Sequence, residues 1–129
     1  MYVYGYLRAS TREQDANRAK DRLKKFIEDR GGRIASWYTE NVSGASLKRP
    51  ALMQLLDNAA PGDAILIEQV DRLSRLDDSD WTILKKMIQE KNLYVISLDL
   101  PTSYAALNHE TKDEFTGAML KAINNMMLD

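Results

Sequence analysis

The chain has 129 residues, 44% hydrophobic and 29% charged, with a formal net charge of −1. That length suits one domain, the apolar fraction argues against disorder along the whole chain, and no stretch approaches the ~20 apolar residues of a membrane span. With no Cys and a single His, His109, the chain has no disulfides, thiolate metal sites, cysteine nucleophiles or multi-histidine metal sites, and a Ser–His–Asp triad would have to be built around that one residue.

In chain order, Tyr2–Leu7 is short, apolar and aromatic and reads as a buried strand that runs straight into charged residues, unlike a secretory leader. Ala16, Ala19, Leu23, Phe26 and Ile27 then recur at helical spacing, and Gly31-Gly32 stops that helix. Ile34–Tyr38 reads as a second strand, followed by a loop, Thr39–Lys48. Pro50 opens a helix with Ala51, Leu52, Leu55, Leu56 and Ala59 on its apolar face. After the turn Pro61-Gly62-Asp63, the uniformly apolar Ala64–Ile67 reads as a strand covered on both faces. Asp77, Asp78 and Ser79 cap a helix carrying Trp81, Leu84, Met87 and Ile88. Leu93–Leu98 is a fourth strand and Asp99–His109 a polar loop. A last helix begins near Glu110, its apolar stripe formed by Phe115, Ala118, Met119, Ala122, Ile123 and Met126. Leu120, Met127 and Leu128 fall outside that stripe and suggest a second partner surface. Strands alternating with helices give an α/β fold, with a mostly parallel central sheet of about four or five strands flanked by helices.

The chemistry of such sheets collects at the carboxyl ends of the strands. Here those ends carry Arg8 to Arg12, Glu40 with the 43–49 loop, Asp71 to Arg75, and Asp99. The charge is also uneven. Residues 1–56 hold 11 Lys+Arg against 6 Asp+Glu, a balance of +5, and residues 57–129 hold 7 against 13, a balance of −6. Arg8, Arg49, Arg72 and Arg75 come from three separate segments and can bond phosphate in bidentate fashion, and Ser10 among them is a candidate nucleophile toward phosphorus. The plainer alternative keeps the arginines as surface charges and Ser10 as a helix cap. No glycine-rich run ends in Lys-Ser or Lys-Thr, so there is no P-loop. Asp77-Asp78-Ser79-Asp80 reads as a cap and dipole group rather than a two-metal nuclease site. His109 receives no catalytic role, and the methionines read as packing residues.

Three segments resemble one family. Tyr4-Gly5-Tyr6-Leu7-Arg8-Ala9-Ser10-Thr11 resembles the start of the serine recombinases, the resolvase/invertase family. Ser43-Gly44-Ala45-Ser46-Leu47-Lys48-Arg49-Pro50-Ala51-Leu52 is similar to the middle motif of that family, and Ile67-Glu68-Gln69-Val70-Asp71-Arg72-Leu73-Ser74-Arg75 to its later motif. All three occur in the right order and spacing, and the resemblance covers nearly the whole chain.

The resemblance implies a catalytic domain in which Ser10 attacks a DNA phosphodiester and is joined to the 5′ phosphate. Strand exchange and religation follow, with no metal or cofactor. By the same resemblance Arg8 and Arg72 lie nearest the scissile phosphate, Arg49 and Arg75 complete the clamp, and Asp71 orients an arginine or takes part in proton transfer. Arg12, Gln14, Ser43, Ser46 and Lys48 are the expected DNA contacts. The base that deprotonates Ser10 is not identifiable, since arginine does not readily give up its proton. Two departures stand out. Asn17, Arg18 and Ala19 occupy the region where many relatives carry a glutamine. The small-type relatives also continue the last helix into a helix-turn-helix that reads the site, and no such element is recognisable here.

The expectation is therefore a serine recombinase catalytic domain over residues 1–129, with its C-terminal oligomerisation helix cut short and its DNA-binding helix-turn-helix domain absent. Its partners would be double-stranded DNA and further copies of itself, a dimer and, at full length, a synaptic tetramer, in the cytoplasm and with no membrane. The chain as it stands would bind DNA weakly, without sequence preference, and remain a monomer or weak dimer. A catalytically silent dimerisation module of the same family is the alternative. A small-molecule phosphate-binding domain is a third reading.

Overall fold

The computed structural model describes residues 2–8, 13–40, 50–69, 78–108 and 114–128. The elements are β1 (Val3–Arg8), α1 (Glu13–Glu28), β2 (Ile34–Glu40), α2 (Pro50–Asn58), β3 (Ala64–Ile67), α3 (Asp78–Glu90), β4 (Tyr94–Ser97), a 3-10 helix (Pro101–Asn108) and α4 (Glu114–Leu128). The strands form one parallel sheet in the order β2-β1-β3-β4. This is the α/β fold expected from the alternating pattern, with four strands among the described residues.

Strand periodicity sorts the core into two layers. Val3 and Leu7 of β1, Ala64 and Leu66 of β3 and Ile96 of β4 face Leu23 and Ile27 of α1. Tyr6, Ile65, Ile67 and Val95 point the other way, to Leu52, Leu55 and Leu56 of α2 and to Leu84 and Ile88 of α3. Helices on both faces explain why every residue of β3 is buried, and why that strand reads as an unbroken apolar run.

Two glycines are set by geometry. Gly31, at φ 78°, ends α1: its N–H bonds to Glu28 O at 3.0 Å while the Gly32 N–H reaches Ile27 O at 3.0 Å, a pairing that requires the left-handed conformation. Gly5 lies opposite Trp37 of β2, and a Cβ on it would stand 2.4 Å from the indole Cε3. The indole rests on that bare backbone, with the Lys20 ammonium 5.3 Å from its ring centre.

The structure departs from the sequence reading in three places. β2 runs on to Glu40, because Thr39 and Glu40 still pair with Leu7 and Arg8 of β1. The polar loop expected over Asp99–His109 is a 3-10 helix as far as Asn108. Ser103 Oγ accepts the Ser97 N–H at 2.9 Å and donates to Leu100 O at 2.6 Å, and the Tyr104 ring packs edge-on to Phe26 at 4.8 Å. His109 lies outside the described residues.

The last helix is described from Glu114; of its expected stripe the side chains of Phe115 and Met119 lie outside the described residues, Ile123 is half-buried, and the rest departs from the expectation. Met126 is 74% exposed and Ala118 and Ala122 are exposed, whereas Leu128, expected outside the stripe, is core. The reason is polar. Asn124 is buried and its side-chain amide completes the outer edge of β4, accepting the Val95 N–H at 2.9 Å and donating to Leu93 O at 3.1 Å. That bond pair rotates α4 onto its Asn124–Leu128 side.

Candidate functional site

The chain passes from β1 to β2 on one side, then returns to β3 on the other, so the strand order reverses between β1 and β3. α1 covers one face there and α2 the other. This puts the topological switch point of the sheet at the carboxyl ends of β1 and β3, where such sheets usually place a ligand crevice. Arg8 is the last residue of β1, Glu40 the last of β2, and Glu68 directly follows β3. The segments singled out by sequence, 8–12, 43–49 and 71–75, fall at or in the stretches of chain that follow these three neighbouring strand ends.

Of the expected site residues, the structure places the backbone of Arg8 at the end of β1, in register with Glu40, and the backbone of Gln14 in the first turn of α1. Ser10, Arg12, Ser43, Ser46, Lys48, Arg49, Asp71, Arg72 and Arg75 lie outside the described residues. What is described is the frame from which they extend, and it contains two buried carboxylates that sequence reasoning did not count among the site residues.

Glu40 is 3% exposed. Its Oε2 accepts the Leu52 N–H at 3.1 Å and the Tyr6 hydroxyl at 3.4 Å, and its Oε1 accepts the Ala51 N–H at 3.3 Å. Ala51 and Leu52 are the first-turn donors of α2, which have no partner inside the helix, so the carboxylate supplies both acceptor and complementary charge. The result ties the carboxyl end of β2 to the amino end of α2 and so fixes both ends of segment 41–49. Tyr6, 1% exposed, needs a partner for its hydroxyl and finds one there. The available signal was an acid at a strand end, ten residues before a helix opened by proline.

Glu68 is 5% exposed and lies within hydrogen-bond reach of two exposed guanidiniums of α1. Its Oε2 is 3.2 Å from Arg22 Nη1 and 3.4 Å from Arg18 Nη1. Two arginines four residues apart on one helix face repel unless an anion sits between them, and that spacing was the clue in the sequence. At the end of β4, Ser97 Oγ donates to Asp99 Oδ1 and the Ser97 N–H to Ser103 Oγ. These groups satisfy one another and shape the turn into the 3-10 helix.

Among the described residues no helix is long and apolar enough to cross a membrane. Over residues 3–129 the chain matches the family model described as Resolvase, N terminal domain. A resolvase of Escherichia coli is 39% identical over 71 residues, 55% of this chain and 32% of that protein. The Transposon Tn3 resolvase of Escherichia coli is 31% identical over 99 residues, 77% of this chain and 51% of the relative. The chain therefore spans about a third to a half of the length of these curated relatives. Among solved structures, the N-terminal catalytic domain of TP901-1 integrase superposes with a TM-score of 0.65 at 26% identity, over 98% of this chain and 94% of that one. The C-terminal catalytic domain of ISC1926 TnpA, an IS607-like serine recombinase, covers both chains completely with a TM-score of 0.65 at 14% identity, a likeness of fold alone.

Proposed function

This chain belongs to the resolvase family, matching its N-terminal domain, and from that premise we propose that it is the catalytic domain of a site-specific DNA recombinase with Ser10 as nucleophile. The Ser10 oxygen attacks a backbone phosphorus, the bond to the 3′ oxygen breaks, and the serine proton ends on the departing 3′ hydroxyl. The 5′ phosphate stays on the serine as an ester of similar energy, so the reverse attack by a 3′ hydroxyl on an exchanged strand reseals the backbone. Arg8 and Arg72 meet the charge that develops on the phosphoryl oxygens, Arg49 and Arg75 complete the clamp, and Asp71 holds an arginine in place or carries a proton. Arg12, Gln14, Ser43, Ser46 and Lys48 contact the flanking backbone. The partners are double-stranded DNA and further copies of the chain, a dimer that pairs into a tetramer.

The observation that carries this reading is topological. Segments 9–12, 41–49 and 70–77 leave the same edge of three adjacent parallel strands, with the first and last departing from either side of the β1/β3 crevice. This shared edge supports, for a nucleophile and cations far apart in sequence, a common address.

The test is a covalent trap. The chain is fused to a sequence-specific DNA-binding module and incubated with a duplex carrying a nick beside the target phosphate. Mass spectrometry should find a phosphodiester-linked adduct at Ser10, and Ser10→Ala should abolish it without changing the circular dichroism spectrum. Adducts from a folded Ser10→Ala variant would reject the nucleophile. A wild-type chain that self-associates but forms no adduct would reject the enzyme in favour of a silent module.

A further inference from the structure

We propose that Arg18 and Arg22, held by the buried carboxylate of Glu68, form a phosphate fork that grips the DNA backbone beside the cut site, separate from the motif arginines. This rests on the functional reading above for the identity of the polyanion, and on the following geometry for the fork itself.

Glu68 stands at the carboxyl end of β3, on the rim of the crevice, and is 5% exposed, while Arg18 and Arg22 are 61% and 57% exposed. The carboxylate thus lies beneath the two guanidiniums rather than beside them in solvent. Both are within reach of the same oxygen, Oε2, through one nitrogen each, Nη1, so most of the five N–H donors on each guanidinium remain available above the carboxylate. Two cations share one anion, which leaves an excess positive charge. A further anion bridging the pair from the solvent side relieves the repulsion between them. Their Cα atoms lie one helical turn apart, about 6 Å along the axis. Lys25, exposed, extends the row by another turn; the exposed Asp21 stands within the row, and Asp29 at its far end.

A row of cations along α1 that begins at the crevice suits a strand of phosphates leaving it. Guanidinium is the side chain whose planar donors match phosphate. Glu68 in this scheme is a positioning residue, orienting the fork without touching DNA.

The measurement is a salt titration of binding, by fluorescence anisotropy, of the 129-residue chain to a labelled duplex of arbitrary sequence. Each lost phosphate contact lowers the slope of log K against log salt by roughly 0.9. R18Q/R22Q should therefore flatten the slope by roughly 1–2, and R18K/R22K, which keeps both charges, should restore it. If the double glutamine variant does not fold, R18Q and R22Q are read singly, each with an expected loss of roughly 0.9. A slope unchanged in the folded glutamine variants, with only a lowered thermal midpoint, would mean that the cluster merely clasps α1 to the sheet and would overturn the fork. A lysine pair as poor as the glutamine pair would overturn it as well. The covalent trap separates this from the functional reading. Adduct formation with an unchanged slope sinks the fork alone, whereas the expected slope loss without any adduct sinks the recombinase and leaves a polyanion-binding fork.

Discussion

Replacing Glu40 should destabilise the fold out of proportion to one carboxylate. The group is 3% exposed and accepts from Leu52 N at 3.1 Å, Ala51 N at 3.3 Å and the Tyr6 hydroxyl at 3.4 Å. Hydrogen bonds to a charged group are worth about 1.5–3 kcal/mol each, but three on one group do not add, and these are long. Charge at a partly buried helix N-terminus contributes ~0.3–2 kcal/mol. E40Q keeps the shape and one acceptor while turning an NH2 toward groups that are themselves donors, so a loss of about 2 kcal/mol is expected. E40A removes this acceptor from all three donors, for about 3 kcal/mol. At this chain length 1 kcal/mol is roughly 3–5 °C in Tm, so E40Q should fall by about 6–10 °C. The assay is urea unfolding followed by circular dichroism, with the slope m unchanged and the midpoint lowered. Glu90→Gln is the control. Its carboxylate lies 3.8 Å from Lys86 Nζ with both side chains mostly exposed, and such pairs contribute under about 1 kcal/mol. If E40Q costs no more than that control, the claim that this carboxylate fixes the start of α2 is refuted.

Gly5→Ala should cost about 1–3 kcal/mol, because its Cβ would meet the Trp37 indole at 2.4 Å, and the displaced indole should change its fluorescence. Unaltered emission together with unaltered stability would contradict the packing described. Asn124→Leu should lose about 2–4 kcal/mol by orphaning Val95 N–H and Leu93 C=O, and hydrogen exchange at the Val95 amide should accelerate first. Equal exchange in both proteins would detach α4 from the edge of β4. Burial, and then the nearby Asp63 carboxylate, hold the Tyr4 hydroxyl above its usual pKa of 10.0. The neutral phenol is therefore favoured by the fold. Its contribution is complete below the unfolded pKa and is lost as pH rises through the folded one. Stability should fall above about pH 10, less steeply in Tyr4→Phe, and identical pH profiles would remove Tyr4 from that account.

Much of the fold could be read directly, because local pattern and tertiary outcome agree. Ala64–Ile67 is apolar on both faces and is covered on both, and Leu23 and Ile27 at helical spacing do form the inner face of α1. The errors fall where a polar group outweighs periodicity. Ala118, Ala122 and Met126 belong to the better stripe by spacing, yet Asn124 satisfies two backbone groups at the sheet edge, and these three are left exposed. Likewise Ser103, an ordinary loop residue by composition, closes hydrogen bonds that wind 101–108 into a 3-10 helix. At the site, Glu40 is visible in the sequence as a strand-end residue and Glu68 falls inside the later motif, yet neither is given a role by the pattern. A motif marks residues that touch substrate, whereas these two act through neighbours 12 and 50 residues away in sequence.

Under the proposed function, two buried carboxylates stand beside a site for a polyanion, which looks at first like a flaw. Unscreened, each would repel the DNA backbone from the edge where the arginines are needed, and each would be costly to desolvate. The structure answers both objections with different donors. Glu40 spends its charge on the N–H groups that open α2 and on Tyr6, so its field is met by a helix terminus. Glu68 is met by two guanidiniums that outnumber it. One therefore ties the end of β2 to the start of α2, and the other leaves an acid at the end of β3 beneath two exposed guanidiniums. Arg8 comes between them in the sheet, on the strand flanked by β2 and β3. Among the described residues, the two buried carboxylates of this edge are thus each met by donors of the fold, which is the electrostatic condition that the proposed function requires.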